Sequence, residues 1–215
     1  MFWRKLQDIL TSPHTFFETV ENESFLDTTK YVFILFFIGF IIDLPSSFQN
    51  IQAGYDIVLS LLIYGLTLLV SFILFYLLIL SNTSTLYILL YLFEDEADFK
   101  TCYRISSYAT TPLLILFFIQ GLVYLGSFLV TGQPLVIEAG TNTSLLTVFG
   151  ALFGFALGYT FYLQVTGLRN SVSEAWKKWS IPIAGFFVTF LAFILIVILL
   201  SYVHYILGAT SASSV

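Results

Sequence analysis

Charge is what this chain has least of. Asp, Glu, Lys and Arg make up 10% of its 215 residues, against about a quarter in an ordinary soluble domain. So few charges cannot cover a water-facing surface, whereas a lipid-facing one needs none. Cysteine is almost missing: Cys102 stands alone, so no intramolecular disulfide can form. Histidine occurs twice, at His14 and His204. No Ser–His, paired-aspartate or His-Glu-x-x-His arrangement appears, so no catalytic set is visible and an enzyme is not expected. No basic arm or basic patch with interleaved aromatics is present, which argues against nucleic acid as a partner. Residues 1–29 lack the apolar core of a cleavable signal peptide.

What the chain has instead is hydrophobic residues, 58% of the total, with a mean hydropathy of +0.93. A bilayer is the natural solvent for such a composition. The expected class is all-α: an integral membrane bundle of five transmembrane helices with short amphipathic helices at the N-terminus. Residues 1–29 form a cytoplasmic amphipathic segment, 30–207 the five-span membrane domain, and 208–215 a disordered external tail.

In the first segment, Phe2, Trp3, Leu6, Ile9 and Leu10 recur near helical spacing, with Arg4, Lys5, Gln7 and Asp8 between them. Ser12 followed by Pro13 is a helix-start signal. Two readings stand for these short helices: they lie in the headgroup plane, or they pack under the bundle as a lid.

Apolar runs place the spans. The first, Tyr31 to Ile42, is short and is closed by Asp43, Leu44 and Pro45; a helix over about 28–47 would still cross. The second starts at Ile57 and runs to Leu80. Beyond the polar stretch Ser81 to Thr85, Leu86 to Phe93 reads as an extension of the same helix past the headgroups or as an interfacial helix. The third, Ile105 to Val130, is broken near its start by Thr110, Thr111 and Pro112. The fourth is Leu145 to Leu168 and the fifth Ile181 to Tyr205. Five crossings put all eight Lys and Arg residues on one side, which by the positive-inside rule is the cytoplasm. The expected location is therefore the cell membrane, multi-pass, with the N-terminus cytoplasmic and the C-terminus external.

Several constellations could carry function. Gly150, Gly154 and Gly158 repeat every fourth residue and make a groove for close helix packing, internal or between copies; a homo-oligomer stays open. Gln120 and Pro112 are the polar and helix-breaking features at membrane depth. Glu94, Asp95, Glu96 and Asp98 lack the spacing of a calcium loop, so they read as carboxylates at the start of a helix beginning near Phe99. No metal and no cofactor is expected. Of three glycosylation sequons, only Asn142-Thr143-Ser144 falls in an external loop.

Three stretches point together to one family: Leu10-Thr-Ser-Pro13-His-Thr-Phe16-Phe17, Phe99-Lys100-Thr-Cys-Tyr103-Arg104-Ile-Ser-Ser-Tyr108-Ala-Thr-Thr-Pro112, and Gly167-Leu168-Arg169-Asn-Ser-Val-Ser-Glu-Ala175-Trp-Lys177. In order and spacing they resemble the Yip family, five-span membrane proteins named for interaction with Ypt/Rab GTPases. The resemblance implies a non-enzymatic protein whose eukaryotic relatives act in vesicle trafficking and membrane shaping. This chain departs from the eukaryotic pattern. It lacks the long cytoplasmic tail and the Asp-Leu-Tyr-Gly-Pro stretch before the first span, and it carries Glu94-Asp95-Glu96-Ala97 where many relatives have glycines. Those departures favour a prokaryotic-type member. The expected function is a membrane scaffold or adaptor working through its cytoplasmic face, with Arg104, Arg169, Lys177 and Lys178 as candidate partner-binding residues. Its expected partners are membrane lipids and an unidentified cytoplasmic or membrane protein. The rival is a small-solute channel or transporter with a pathway near the broken third span.

Overall fold

The computed structural model describes residues 2–52, 57–95, 98–131, 143–172, 174–191 and 194. Those residues form an all-α fold. Two short helices, α1 (Phe2–Thr11) and α2 (Pro13–Thr19), precede the long α3 (Phe25–Gln52) and α4 (Ile57–Leu92). Then come α5 (Phe99–Ala109), α6 (Thr111–Thr131), α7 (Thr143–Gly167), a 3-10 turn at Leu168–Asn170, and α8 over residues 175–191.

Four stretches are long and apolar enough to cross a membrane: Phe25–Ile42, Tyr64–Leu92, Phe99–Thr131 and Thr147–Gly167. The chain is thus a multi-pass membrane protein. The fifth expected crossing lies mostly outside the described residues; its first part is the helical 181–191 of α8. The first span is longer than its apolar run implied. Helix α3 starts at Phe25 and continues through Asp43 and Pro45. A proline inside a spanning helix is tolerated where neighbours satisfy the freed carbonyl.

Helix α4 runs unbroken through Ser81 to Thr85 for 36 residues, about 54 Å at 1.5 Å per residue. A hydrocarbon core is about 30 Å thick, so this helix must stand well clear of it at one end. The polar stretch does not break it because its hydroxyls bond back along the helix: Thr83 Oγ1 donates to the Ile79 carbonyl at 2.7 Å and Thr85 Oγ1 to that of Ser81 at 2.9 Å.

The third span is broken where Thr110 and Pro112 predicted. Helix α5 ends at Ala109 and α6 restarts at Thr111 with Pro112 in its first turn. Helix α3 lies along α6, α4 along α5, and α7 touches both α5 and α6. The start of α4 meets the end of α3, with the Tyr64 hydroxyl donating to the Phe40 carbonyl at 3.2 Å. Consecutive spanning helices therefore alternate in direction, while α3 and α6 run parallel, Tyr31 meeting Thr111 and Gly39 lying beside Phe118. The short helices α1 and α2, the start of α3, the end of α4, helix α5, the end of α7 and the start of α8 all gather at one end.

Helix α5 is the centre of that end. Every residue from Cys102 to Ala109 is buried, on all sides of the helix. Two apolar clusters meet across it. One joins Tyr103 and Tyr108 to Ile9, Phe16, Tyr31 and Leu163. The other joins Cys102 and Ile105 to Leu86, Leu90, Leu168 and Ile181.

Candidate functional site

A helix buried all round carries polar groups at a cost wherever one is left unbonded, because an unpaired buried donor or acceptor costs about 1–3 kcal/mol. Helix α5 carries Tyr103, Arg104, Ser106, Ser107 and Tyr108; the Ser107 hydroxyl is buried without a hydrogen-bond partner among the described residues, and the partners of the other four come from almost every neighbouring element. Arg104, 5% exposed, donates from Nη1 to the Val20 carbonyl at 2.7 Å and from Nη2 to Thr101 Oγ1 at 2.8 Å. Val20 closes α2, so the guanidinium binds the negative end of that helix, where a cation is favoured. Tyr103 shares a 2.7 Å hydrogen bond with Thr29 Oγ1 of α3 and donates to the Tyr76 hydroxyl of α4 at 3.3 Å. Asn82 Nδ2 of α4 donates to Ser106 Oγ at 3.1 Å, and Thr189 Oγ1 of α8 donates to Asn82 Oδ1 at 3.5 Å.

The N-terminal helices are a lid over this core. Their second anchor is a buried triad. The Tyr108 hydroxyl donates to Glu23 Oε2 at 2.6 Å, Lys5 Nζ donates to the Tyr108 hydroxyl at 3.2 Å, and Lys5 pairs with Glu23. A third anchor is Tyr159 of α7, whose hydroxyl donates to the Leu10 carbonyl at 2.8 Å. Phe16 stands edge-on to Tyr108, with ring centroids 4.8 Å apart. The lid reading of residues 1–29 therefore matches the packing, while Trp3 still points outward, 69% exposed. Pro13 opens α2 as expected, but Ser12 makes no side-chain cap; its backbone carbonyl accepts from Phe16 N at 3.0 Å instead.

The turn between α4 and α5 explains the acidic run. At the end of α4, Glu94 N donates to the Tyr91 carbonyl at 3.2 Å and Asp95 N to the Leu90 carbonyl at 3.1 Å. This is a Schellman motif, and its left-handed position is Glu94 at φ 58. Glycine is the residue that suits that position. Asp98 then caps α5, accepting from Thr101 N at 2.7 Å, and hydrogen bonding from Thr101 holds its carboxyl below the usual carboxylate range. The expectation of carboxylates at a helix start is met by Asp98. Among the described residues no group of His, Cys, Asp and Glu could hold a metal ion.

The candidate partner-binding residues divide. Arg104 and Lys177 are buried. Lys177 Nζ donates to the Phe93 carbonyl at 2.9 Å and pairs with Asp95 at 3.4 Å and Glu174 at 3.5 Å. Both hold the site together from within. Arg169 is exposed and Lys178 half-buried. Gly167, from the same sequence stretch, is where α7 comes closest to its neighbours. A Cβ there would stand 2.9 Å from Ile105 Cγ1 and 3.2 Å from Phe17 Cε1.

Gly150, Gly154 and Gly158 face open space: among the described residues nothing lies within 4 Å of a Cβ at any of them. Gln120 donates to the Tyr124 hydroxyl at 3.1 Å, one turn along α6. Both line a cavity of about 440 Å³ between α3, α4 and α6, walled mostly by apolar groups such as Phe36, Phe75 and Leu114. Pro112 is buried and lines a separate apolar cavity of about 360 Å³ between α6 and α7. His14 stands edge-on to Tyr162, 6.5 Å between centroids. His204 and Asn142 lie outside the described residues.

Sequence reasoning missed Lys5, Glu23 and Tyr108 as a unit. Nothing in the chain signals that residues 18 and 103 positions from Lys5 meet it. The arrangement supplies no nucleophile–base pair; it supplies a rigid polar core joining three loops. A family model described as the Yip1 domain matches residues 8–209. No curated protein and no solved structure matches the chain.

Proposed function

The chain belongs to the Yip1-domain family, and on that footing we propose that it is a non-enzymatic membrane scaffold that recruits a partner protein at the end of the bundle built around α5. One observation carries the reading. Three segments far apart in sequence, 2–23, 93–104 and 167–178, are locked into one surface by buried ties: Arg104 to Val20, Lys5 to Glu23 and Tyr108, and Lys177 to Phe93. Such rigidity presets a docking face and lowers the ordering cost of association. All eight Lys and Arg residues belong to these segments or flank them, so the positive-inside rule puts this face in the cytoplasm of a cell whose plasma membrane holds the protein.

Of the candidate residues, Arg169 is exposed and Lys178 half-buried there, on the stretch that carries Trp176 and Trp179, 55% and 54% exposed; Arg4 and Lys100 are exposed at the same end. Affinity purification from native membranes in mild detergent, followed by mass spectrometry, tests the proposal. A partner recovered with the wild type and lost in the double variant Arg169→Glu, Lys178→Glu supports it. Unchanged recovery in a variant that melts like the wild type overturns it. Lys177 is not a suitable target, because its loss would leave Asp95 buried beside an uncapped carbonyl.

The second reading, a solute pathway, has the cavity between α3, α4 and α6 in its favour, with Gln120, Tyr124 and Ser71 on its wall. Flux into liposomes that disappears in Gln120→Leu would support it over the scaffold.

A further inference from the structure

We propose that the cavity bounded by α1, α2 and the start of α3 binds the headgroup of a zwitterionic phospholipid carrying a primary amine, the ethanolamine class. The cavity measures about 760 Å³. Its lining is divided by chemistry. Phe2, Tyr31 and Ile34 form an apolar wall, and Ile34 is 42% exposed within the apolar stretch Phe25–Ile42. Arg4, Asp8, Asp27 and Lys30 form a charged mouth. An apolar floor continuous with the bilayer under a charged mouth is the shape of a phospholipid at its glycerol and headgroup.

The level is right as well. Trp3, between the lining residues Phe2 and Arg4 in the chain, is 69% exposed, and tryptophan rings settle at the headgroup layer. The apolar part of α3 begins directly after Lys30.

Charge decides the headgroup. Six charged side chains line the cavity: Arg4, Lys5 and Lys30 against Asp8, Glu23 and Asp27, a formal sum of zero. Lys5 and Glu23 are paired with each other deep inside. The other four sit at the mouth in loose pairs, Arg4–Asp8 at 3.8 Å and Lys30–Asp27 at 3.7 Å, with side chains 47–88% exposed. Exposed pairs of this kind are worth about 0–1 kcal/mol, so a ligand that offers both signs can replace them. A phosphate takes Arg4 and Lys30. A primary ammonium has three N–H donors for Asp8 and Asp27, as a lysine does; a quaternary choline has none. A purely anionic headgroup would leave both carboxylates facing a like charge.

The inference requires only that the chain sits in a bilayer, and it stands or falls apart from the scaffold reading. Native mass spectrometry of the purified chain in detergent tests it, with ethanolamine, choline and glycerol phospholipids of identical acyl chains added in turn. The ethanolamine lipid should be retained about tenfold over the choline lipid, the margin of one charge-assisted hydrogen bond. Asp8→Asn with Asp27→Asn should remove that preference. Arg4→Gln with Lys30→Gln should weaken both lipids together. Because Asp27 also bonds Ser24 at the start of α3, Asp8→Asn alone serves as the second variant if the double one does not fold. Equal retention of ethanolamine and choline lipids by the wild type overturns the proposal. So does stronger retention of the glycerol lipid, or an ethanolamine preference that survives both aspartate variants.

Discussion

Arg104 sits in the buried stretch of α5, Cys102 to Ala109, and its acceptors are two carbonyls and a hydroxyl. Removing it would take from the Val20 carbonyl the charged one of its two donors, leaving the Glu23 N–H at 2.9 Å, and would loosen the end of α2. A charge-assisted hydrogen bond is worth about 1.5–3 kcal/mol, so Arg104→Ala should lower the detergent melting temperature by that equivalent. Arg104→Lys should restore only part of it, since a lysine cannot fork to Val20 and Thr101 together. Gly167 has the opposite problem, too little room. Gly167→Val would drive a side chain into Ile105 and Phe17, an overpacking cost of about 1–3 kcal/mol, readable in the same melting experiment. Glu94 occupies a left-handed position at φ 58, which costs a side chain about 1 kcal/mol. Glu94→Gly should therefore raise the melting temperature; a fall would contradict the Schellman reading. At this scale the sequence was partly informative. Leu10 to Phe17, Phe99 to Pro112 and Gly167 to Lys177 carry the family resemblance, but nothing in them says that Arg104 and Lys177 point inward. A basic residue in a cytoplasmic loop looks the same whether it meets a partner or a carbonyl of its own chain.

At the scale of elements, the polarity of α5 and its burial belong together. The helix is too polar to face lipid and too enclosed to face water, so it survives only while its cap and its side-chain partners hold. Asp98 is the cap, and Asp98→Ala should cost about 0.5–2 kcal/mol. The pH dependence has a definite sign. Hydrogen bonding from Thr101 lowers the Asp98 carboxyl from its ordinary 3.8, so the folded state favours the ionised form. That contribution is complete above the ordinary carboxylate range and is lost as pH falls through the lower folded value. Acid melting curves of wild type and Asp98→Ala should therefore converge as pH falls below the ordinary 3.8 and through the lower folded value. Helix existence and the break before Pro112 could be read from apolar runs and proline alone. The extension of α4 past Ser81 to Thr85 was one of the two readings of that stretch and is the one the structure takes, whereas the run of α3 on to Gln52 was not legible, because Asp43 and Pro45 close its apolar run. In the bundle, Thr hydroxyls bond back along α4 and the helix goes on. The glycine spacing at 150, 154 and 158 read first as internal packing, with a contact between copies as the alternative, and among the described residues that face is open.

For the whole molecule, the decisive feature is an asymmetric bundle. One end gathers the lid, the buried helix and all eight basic residues, and that end is proposed to face the cytoplasm and its partner. The placement rests on an odd number of crossings, and the fifth falls where few residues are described. Site-directed cysteine labelling in sealed, right-side-out membrane vesicles addresses it directly. Cys102 is fully buried, so the wild type should give a silent background. Thr11 is exposed at the end of α1, and Ser213 lies beyond the last apolar run. A membrane-impermeant maleimide should label Ser213→Cys at once and Thr11→Cys only after the vesicles are opened. Labelling of both sites from the same side would mean an even number of crossings, and the five-span arrangement would be wrong.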